Sequence, residues 1–369
     1  MNLRFLVSTI LFCTLFLSRT SGQFVPTEDC FTYTYRFQLG ADNRTITMGK
    51  GLVDRFGVTY LTGTDWTDPD SKEGIIHKND FMHTPLWTRA YSVPGKSLSI
   101  EQIDVLPDND LIVIGTVTDP DGSNAEIYLS KIKDNGDLVW SQRLGANVYG
   151  KSISANRNGT FVFAGQSSGS IVVGNMRADG TLNWLRQSTG HSDPEVVGLL
   201  GKNAYMWTVA YNEVRSGRQY ATLLQFDPAT GNLQAFRDLG ENPHSSDYIV
   251  HDIVEGNNRT HVTGIFRSGA GPYRFFEMMV ASSEIEIFRI LDLPGETVSP
   301  GARSSLSGTT STISLITEPN SSNLIVIKTA INTSDPATIH WSKKWALTKP
   351  ASTVHIIDCY DAGFLATAG

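Results

Sequence analysis

The sequence predicts an all-β fold, a seven-bladed β-propeller with four-stranded antiparallel blades, the last blade shared by the N- and C-terminal segments. Three observations predict it. A strand-rich unit recurs along the chain, two markers within that unit each occur seven times, and both chain ends fall inside a unit.

The unit reads as a β-rich strand with a small residue, a polar turn and a second strand. A tight Gly turn, a third strand carrying a large aromatic and a polar–apolar fourth strand follow. Its clearest copy is DLIVIGTV (110–117), AEIYLSKIKDNGDLVWSQRLG (125–145) and KSISANRNG (151–159). The next is TFVFAGQ (160–166), SIVVGNMRADGTLNWLRQ (170–187) and EVVGLLGKN (195–203). The segments are rich in Val, Ile, Thr, Tyr and Phe with polar alternation, the pattern of short half-buried strands. The turns Asp134-Asn135-Gly136, Ala178-Asp179-Gly180 and Ala229-Thr230-Gly231 stand where the second strand reverses into the third. Their glycines supply the left-handed residue that a tight hairpin needs.

The first marker is the third-strand aromatic, at Phe37, Trp87, Trp140, Trp184, Phe236, Phe288 and Trp345, with Trp341 as an alternative for the last. The second is the first strand, centred near Gly63, Gly115, Gly165, Thr208, Gly264, Leu315 and Ala368. The aromatic rings read as packing anchors between neighbouring blades rather than as a ligand box.

For ring closure, FTYTYRFQLG (31–40) and TITMGKGLVDRFG (45–57) are expected to give the third and fourth strands of the last blade, and GFLATAG (363–369) its first. Pairing the ends removes two exposed sheet edges. That blade lacks a second strand, so either it has three strands or the chain continues beyond Gly369.

Residues 1–22 read as a secretory signal peptide. Arg4 precedes an apolar run from Phe5 to Leu17, and small residues lead to a cleavage point near Gly22–Gln23. The run is too short to span a bilayer, and no later stretch reaches the ~18 apolar residues that a spanning helix needs. Residues 23–369 are expected to form one propeller domain, secreted and extracellular, with no membrane insertion. Lys and Arg total 30 against 37 Asp and Glu, scattered without a basic cluster, which disfavours nucleic-acid binding. Of three cysteines, Cys13 leaves with the leader. Cys30 and Cys359 remain in an oxidising route, so a single disulfide is expected between them. It would fasten the shared blade, with a chain-entropy ceiling of roughly 5–6 kcal/mol.

The unit AEIYLSKIKDNGDLVWSQRLG followed by a polar strand resembles the D-x-x-G-x-x-x-W blade repeats of secreted β-propeller proteins, akin to PQQ-like and SBBP-like repeats. The likeness is good over 98–190, passable over 50–97 and 204–290, and poor beyond. What it implies is architecture; the motif carries no catalytic residues and leaves function open.

Other chemistry is weighed residue by residue. Asp227-Pro228-Ala229-Thr230-Gly231 is superficially like a quinoprotein blade, but no adjacent cysteines accompany it, and no cofactor is expected. Asp134 and Asp179 miss the sialidase Asp-box spacing and read as hairpin turns. Asp119, Asp121, Asn124 and Glu126 alternate around Gly122 as calcium ligands do, but Lys131 stands where an EF-type loop needs Glu, so a β-turn is the preferred reading. His77, Asp80 and His83 read as an exposed polar loop lacking further zinc ligands, so no metal is expected. No G-x-S-x-G, H-E-x-x-H or P-loop occurs. Glycosylation acceptors stand at Asn43, Asn158, Asn258, Asn320 and Asn332, all in predicted turns, and apply to a eukaryotic source.

The functional expectation is a secreted, non-enzymatic binding or matrix protein whose partner is an extracellular protein, glycan or matrix component. The alternative is a secreted hydrolase, lyase or oxidoreductase with a dispersed site at the central channel.

Overall fold

Val, Ile, Leu and Phe at alternating positions make strands throughout. The computed structural model describes residues 46–368 apart from 69–70, 83, 202–205, 240–245, 257–258, 282–283, 292–297, 299–302, 308–310, 318–322, 331–338, 347–353 and 359–363, with side chains essentially to residue 280. Every element among them is a strand, and every strand pair is antiparallel.

In the first sheet, β1 (Ile46–Met48) and β2 (Leu52–Val53) both pair with β3 (Thr59–Asp65), which leads to β4 (Glu73–Asn79) and β5 (Pro85–Tyr91). The second runs β6 (Ser97–Val105), β7 (Leu111–Thr118), β8 (Glu126–Ile132), β9 (Leu138–Leu144). The third runs β10 (Tyr149–Ala155), β11 (Thr160–Ser167), β12 (Ser170–Arg177), β13 (Leu182–Thr189). The fourth is β14 (Glu195–Leu200), β15 (Trp207–Arg215), β16 (Arg218–Phe226), β17 (Leu233–Asp238). The fifth is β18 (Ser246–Gly256), β19 (Arg259–Ser268), β20 (Arg274–Ala281), β21 (Glu284–Leu291). The sixth is β22 (Arg303–Ser307), β23 (Ser311–Thr317), β24 (Asn323–Ala330), β25 (Ile339–Ala346). A two-stranded sheet, β26 (Val354–Asp358) with β27 (Phe364–Ala368), comes last.

The leading strands touch in succession: β6 with β10, β10 with β14, β14 with β18, β18 with β22 and β22 with β26. β26 in turn touches β2, and Lys50 bridges to Gln102 of β6. These strands therefore line the axis. The trailing strands β9, β13 and β17 are largely solvent-facing, whereas β7 and β11 are buried along nearly their whole length.

The core lies between adjacent sheets. Ile114, Ile127 and Leu129 of the second sheet meet Ile153, Phe161 and Phe163 of the third. Val162, Val173 and Trp184 of the third meet Trp207, Val209 and Leu224 of the fourth. Ala210 and Leu223 of the fourth meet Tyr248, Val250 and Phe276 of the fifth.

The aromatic marker forms this interface. Trp140 stacks on Phe161 of the next sheet at 6.3 Å between ring centroids, and Trp184 packs against Trp207 at 5.6 Å. Each indole N–H also reaches the hairpin turn of the next sheet. Trp87 donates to Asp134 O (3.0 Å), Trp140 to Ala178 O (3.0 Å) and Trp184 to Pro228 O (3.2 Å). These three rings are inter-sheet anchors, as the sequence suggested.

Three expectations need correction. First, the repeat starts one strand earlier than expected. The fourth strand of each sequence unit pairs forward: β10 pairs with β11, closed by the turn bonds Asn156 N–H to Thr160 O and Gly159 N–H to Asn156 O. A cyclic repeat has no intrinsic start, so the sequence pattern left this phase open. Consequently the described part of the 45–57 segment, from Ile46 on, belongs to the first sheet through β1 and β2 and not to the last. Second, Phe236 is not an anchor. Ala235 holds the register position of Trp140 and Trp184, and Phe236, one residue on, points outward and is 53% exposed. By the same register Ile287 stands where Phe288 was expected, and Trp341 rather than Trp345. Third, the residue opposite the leading strand at the Gly115 and Gly165 position is Tyr211 in the fourth sheet, three residues beyond Thr208. Phe37 and the segment 31–40 lie outside the described residues.

Candidate functional site

The axis is built from one irregularity repeated in strand after strand. The register of β6, β10, β14 and β18 slips by one residue, leaving Glu101, Lys151, Val197 and His251 as bulges. In the first sheet the register shifts by one residue between Met48 and Leu52, which puts Gly49 at the bulge place and Lys50 at the place of Gln102, where its N–H donates to Glu101 O at 2.7 Å. Bulges re-aim side chains and sharpen strand twist, and they gather at functional rims.

Each bulge is held from the preceding sheet. Gly150 N–H donates to Thr116 Oγ1 (3.1 Å), Ile100 N–H to Thr64 Oγ1 (3.3 Å) and Val196 N–H to Gln166 Oε1. Asn212 completes the series: Val250 N–H donates to its Oδ1 and its Nδ2 donates to Val250 O, both at 2.8 Å. The four holding residues occupy one position, directly after Gly63, Gly115, Gly165 and Tyr211. A second tier joins the second and third sheets, where Gln102 Oε1 accepts Ser152 Oγ (2.7 Å) and Asp104 Oδ2 accepts Ala155 N–H (2.9 Å).

The belt carries both signs of charge. Lys50 Nζ lies 2.7 Å from Asp252 Oδ1, so an ion pair joins the first sheet to the fifth across 202 residues of sequence. Asp252, directly after the His251 bulge, is oriented by accepting Ile253 N–H at 2.9 Å. The belt thus offers polar recognition groups on a rigid backbone.

A second polar cluster clasps the first sheet to the second. Asp134 Oδ1 accepts Tyr60 Oη (2.7 Å) and the buried Lys78 Nζ. Burial opposes ionisation of Asp134, but the Lys78 and Tyr60 donors outweigh it and hold its carboxyl below the ordinary range. Burial, together with the Asp134 carboxylate, pushes the Tyr60 phenol upward.

Of the sequence-predicted site residues, Asn158 stands exposed in the β10–β11 turn, its Oδ1 accepting Thr160 N–H (3.0 Å) and Thr160 Oγ1 (2.8 Å). Cys30, Cys359, Asn43, Asn258, Asn320 and Asn332 lie outside the described residues, as does His83. The structure corrects the reading of His77 as part of an exposed loop. It is buried within β4, between Thr88 Oγ1 (2.7 Å) and Asn79 Oδ1 (2.9 Å), because the strand extends past it to Asn79. The 119–126 segment is a turn: Gly122 N–H donates to Asp119 O, Lys96 and Asn124 contact the Asp119 carboxylate, and Glu126 pairs with Arg143 at 3.1 Å. Asp134 and Asp179 sit in the hairpin turns expected of them. Among the described residues no group of three or more His, Cys, Asp or Glu is placed to hold a metal, and no helix is long and apolar enough to cross a membrane.

The axial belt and the Thr64–Thr116–Gln166–Asn212 series escaped sequence reasoning. A signal was present, since a polar residue follows each of Gly63, Gly115 and Gly165.

Solved structures share the fold. The chain is similar to the β-propeller domain of Nup133 from Vanderwaltozyma polyspora (TM-score 0.52, 12% identity, covering 90% of this chain and 100% of that one). It is equally similar to the Dos1 propeller (TM-score 0.52, 9% identity, 84% and 73% covered). The fold is a β-propeller. A third similar structure is Drosophila Plexin A in complex with Semaphorin 1b (TM-score 0.51, 7% identity, 89% and 84% covered). At these identities the propeller likeness is one of fold alone. No protein-family model and no curated protein matches the sequence.

Proposed function

We propose that this chain is a secreted, extracellular binding or matrix propeller that engages a protein, glycan or matrix component through its outer face. The observation that carries the reading is a repeated apolar position on the trailing strands. Leu138, Leu182 and Leu233 open β9, β13 and β17 at one register position and are 50%, 41% and 52% exposed. Val139, Leu185 and Phe236 add exposed apolar surface beside them. Repeated apolar exposure on a rigid disc is what a recognition surface supplies. The similar structure of Plexin A, solved in complex with Semaphorin 1b, offers a fold-level analogy for a protein partner.

The reading includes a leader over residues 1–22, a carbohydrate on Asn158, and kinship with the PQQ-like and SBBP-like repeat proteins. It also includes a seventh blade in which residues 31–40 complete the β26–β27 sheet, fastened by Cys30–Cys359. The contacts of β26 with both β22 and β2 support that closure.

The test is secretion of the full chain from eukaryotic cells, followed by binding to a panel of immobilised extracellular-matrix proteins and glycans. The expected result is a cleaved, glycosylated product that binds at least one panel member, with binding lost in the triple variant Leu138→Asp, Leu182→Asp, Leu233→Asp. Retention inside the cell, or binding unchanged in the triple variant, contradicts the reading.

A further inference from the structure

Ser188, His191 and Glu213 come together where the third and fourth sheets abut, off the axial belt. Ser188 is next to last in β13, His191 lies in the connection to β14, and Glu213 is near the end of β15. Ser188 Oγ is 2.8 Å from His191 Nε2. On the other side of the ring, His191 Nδ1 faces Glu213 Oε2 at 3.7 Å.

Glu213 and His191 are each held by further contacts. The Glu213 side chain is only 2% exposed; it accepts Ser192 N–H at 3.1 Å and pairs with Arg215, which also bridges to Asp238. Tyr211 meets the imidazole edge-on at 5.0 Å. The connection is pinned to the β11–β12 hairpin by His191 N–H to Gly169 O (3.3 Å) and Asp193 N–H to Ser168 O (3.1 Å). Ser188 and His191 themselves are only partly buried. Burial lowers the His191 pKa against the opposing Glu213 charge, which keeps the ring neutral near pH 7.

Hydroxyl, imidazole and carboxylate in this order are the parts of an activated nucleophile, and such contacts are often loose without substrate and tighten on binding. We propose that Ser188 is a nucleophile, with His191 as its general base and Glu213 as a positioning residue, acting on ester substrates at the junction of the third and fourth sheets. Ser188 Oγ bonds to the acyl carbon while its proton passes to His191 Nε2. The bond to the leaving alcohol breaks, and that proton goes to the alkoxide. Water, deprotonated by His191, then releases the acid and restores Ser188, so ester and water become acid and alcohol. This inference stands independently of the binding reading.

A fluorophosphonate probe tests it on the full secreted chain. The Ser188 Oγ–P bond forms, fluoride leaves, and the proton goes to His191. Labelled peptides are followed by mass spectrometry. Ser188 is expected to react at least about 10-fold faster than the exposed Ser216 in the same molecule, a comparison that needs no variant. His191→Gln is expected to slow labelling about 100-fold, and Ser188→Ala to abolish it, with thermal melts confirming the fold. Glu213→Gln is expected to slow labelling and to move its pH midpoint downward, since it removes the negative charge beside His191 while Arg215 keeps its positive one. The proposal is overturned if Ser188 reacts no faster than Ser216, or if a folded His191→Gln protein labels at the wild-type rate.

Discussion

Trp140 of the second sheet lies against Gly180 of the third. Its indole N–H donates to Ala178 O at 3.0 Å, and a Cβ added to Gly180 would stand 3.6 Å from the ring and 2.6 Å from Gln142 Nε2. Gly180 has φ +88°, so the turn calls for glycine, while the ring stands at ordinary van der Waals distance and only the flexible Gln142 amide would have to shift. One sheet's marker aromatic is thus joined through its indole N–H to a carbonyl of the next sheet's marker turn.

Trp140→Phe keeps most of the ring but orphans Ala178 O, and is expected to cost about 1 kcal/mol. Trp140→Ala is expected to cost about 3–5 kcal/mol, and Gly180→Ala about 1–2 kcal/mol for the left-handed backbone alone. Urea unfolding of the three variants, compared at a constant slope, checks the order.

Asn212 satisfies both backbone groups of Val250 in a buried setting. Asn212→Leu strands a donor and an acceptor, and is expected to cost about 2–4 kcal/mol. Hydrogen exchange should report it as faster exchange at Val250 than at Gly150, which Thr116 holds independently. Equal exchange at the two sites would argue against side-chain control of the bulges.

Lys50 and Asp252 test the belt. A double-mutant cycle with Lys50→Met and Asp252→Asn is expected to give a coupling energy of about 1 kcal/mol, because the lysine is partly exposed and the aspartate buried. Coupling near zero would mean that the first and fifth sheets are not joined through this pair.

Stability should fall below neutral pH for a stated reason. Burial lowers the pKa of His77 against its Asn79 hydrogen bond, and that of His191 against Glu213. The unfolded chain takes up these protons first as pH drops through about 6.5. The stabilising effect of keeping the rings neutral is thus present above that value and is lost as pH falls toward the lower folded pKa values. Glu213 adds a second loss: burial opposes its ionisation, but Arg215 and Ser192 overcome this and hold it below 4.5, so its contribution disappears as pH falls further. Urea midpoints at pH 7.5, 5.5 and 4 should decline in that order, and less steeply between the first two in His191→Gln.

The fold was legible because Trp87, Trp140 and Trp184 recur with Gly turns at a spacing that only a repeat architecture produces. The anchor failed at Phe236 because a strand alternates faces, and one residue of offset separates core from solvent. The phase of the repeat was illegible, since pairing β10 with β9 or with β11 is equally compatible with the local pattern. The axial belt was half legible: the polar residues after Gly63, Gly115 and Gly165 were visible, but their partners lie 30 to 36 residues on, in the next sheet. Ser188, His191 and Glu213 formed no motif, because the ends of strands in two different sheets bring them together.

Peptide mapping of the secreted protein under non-reducing conditions tests the ring most directly. If the two-stranded β26–β27 sheet is completed by the N-terminal segment, one cross-linked peptide pair containing Cys30 and Cys359 appears, two hydrogens lighter than the sum of the free peptides. Recovery of both cysteines as free thiols, from protein that is folded and secreted, would contradict the closure.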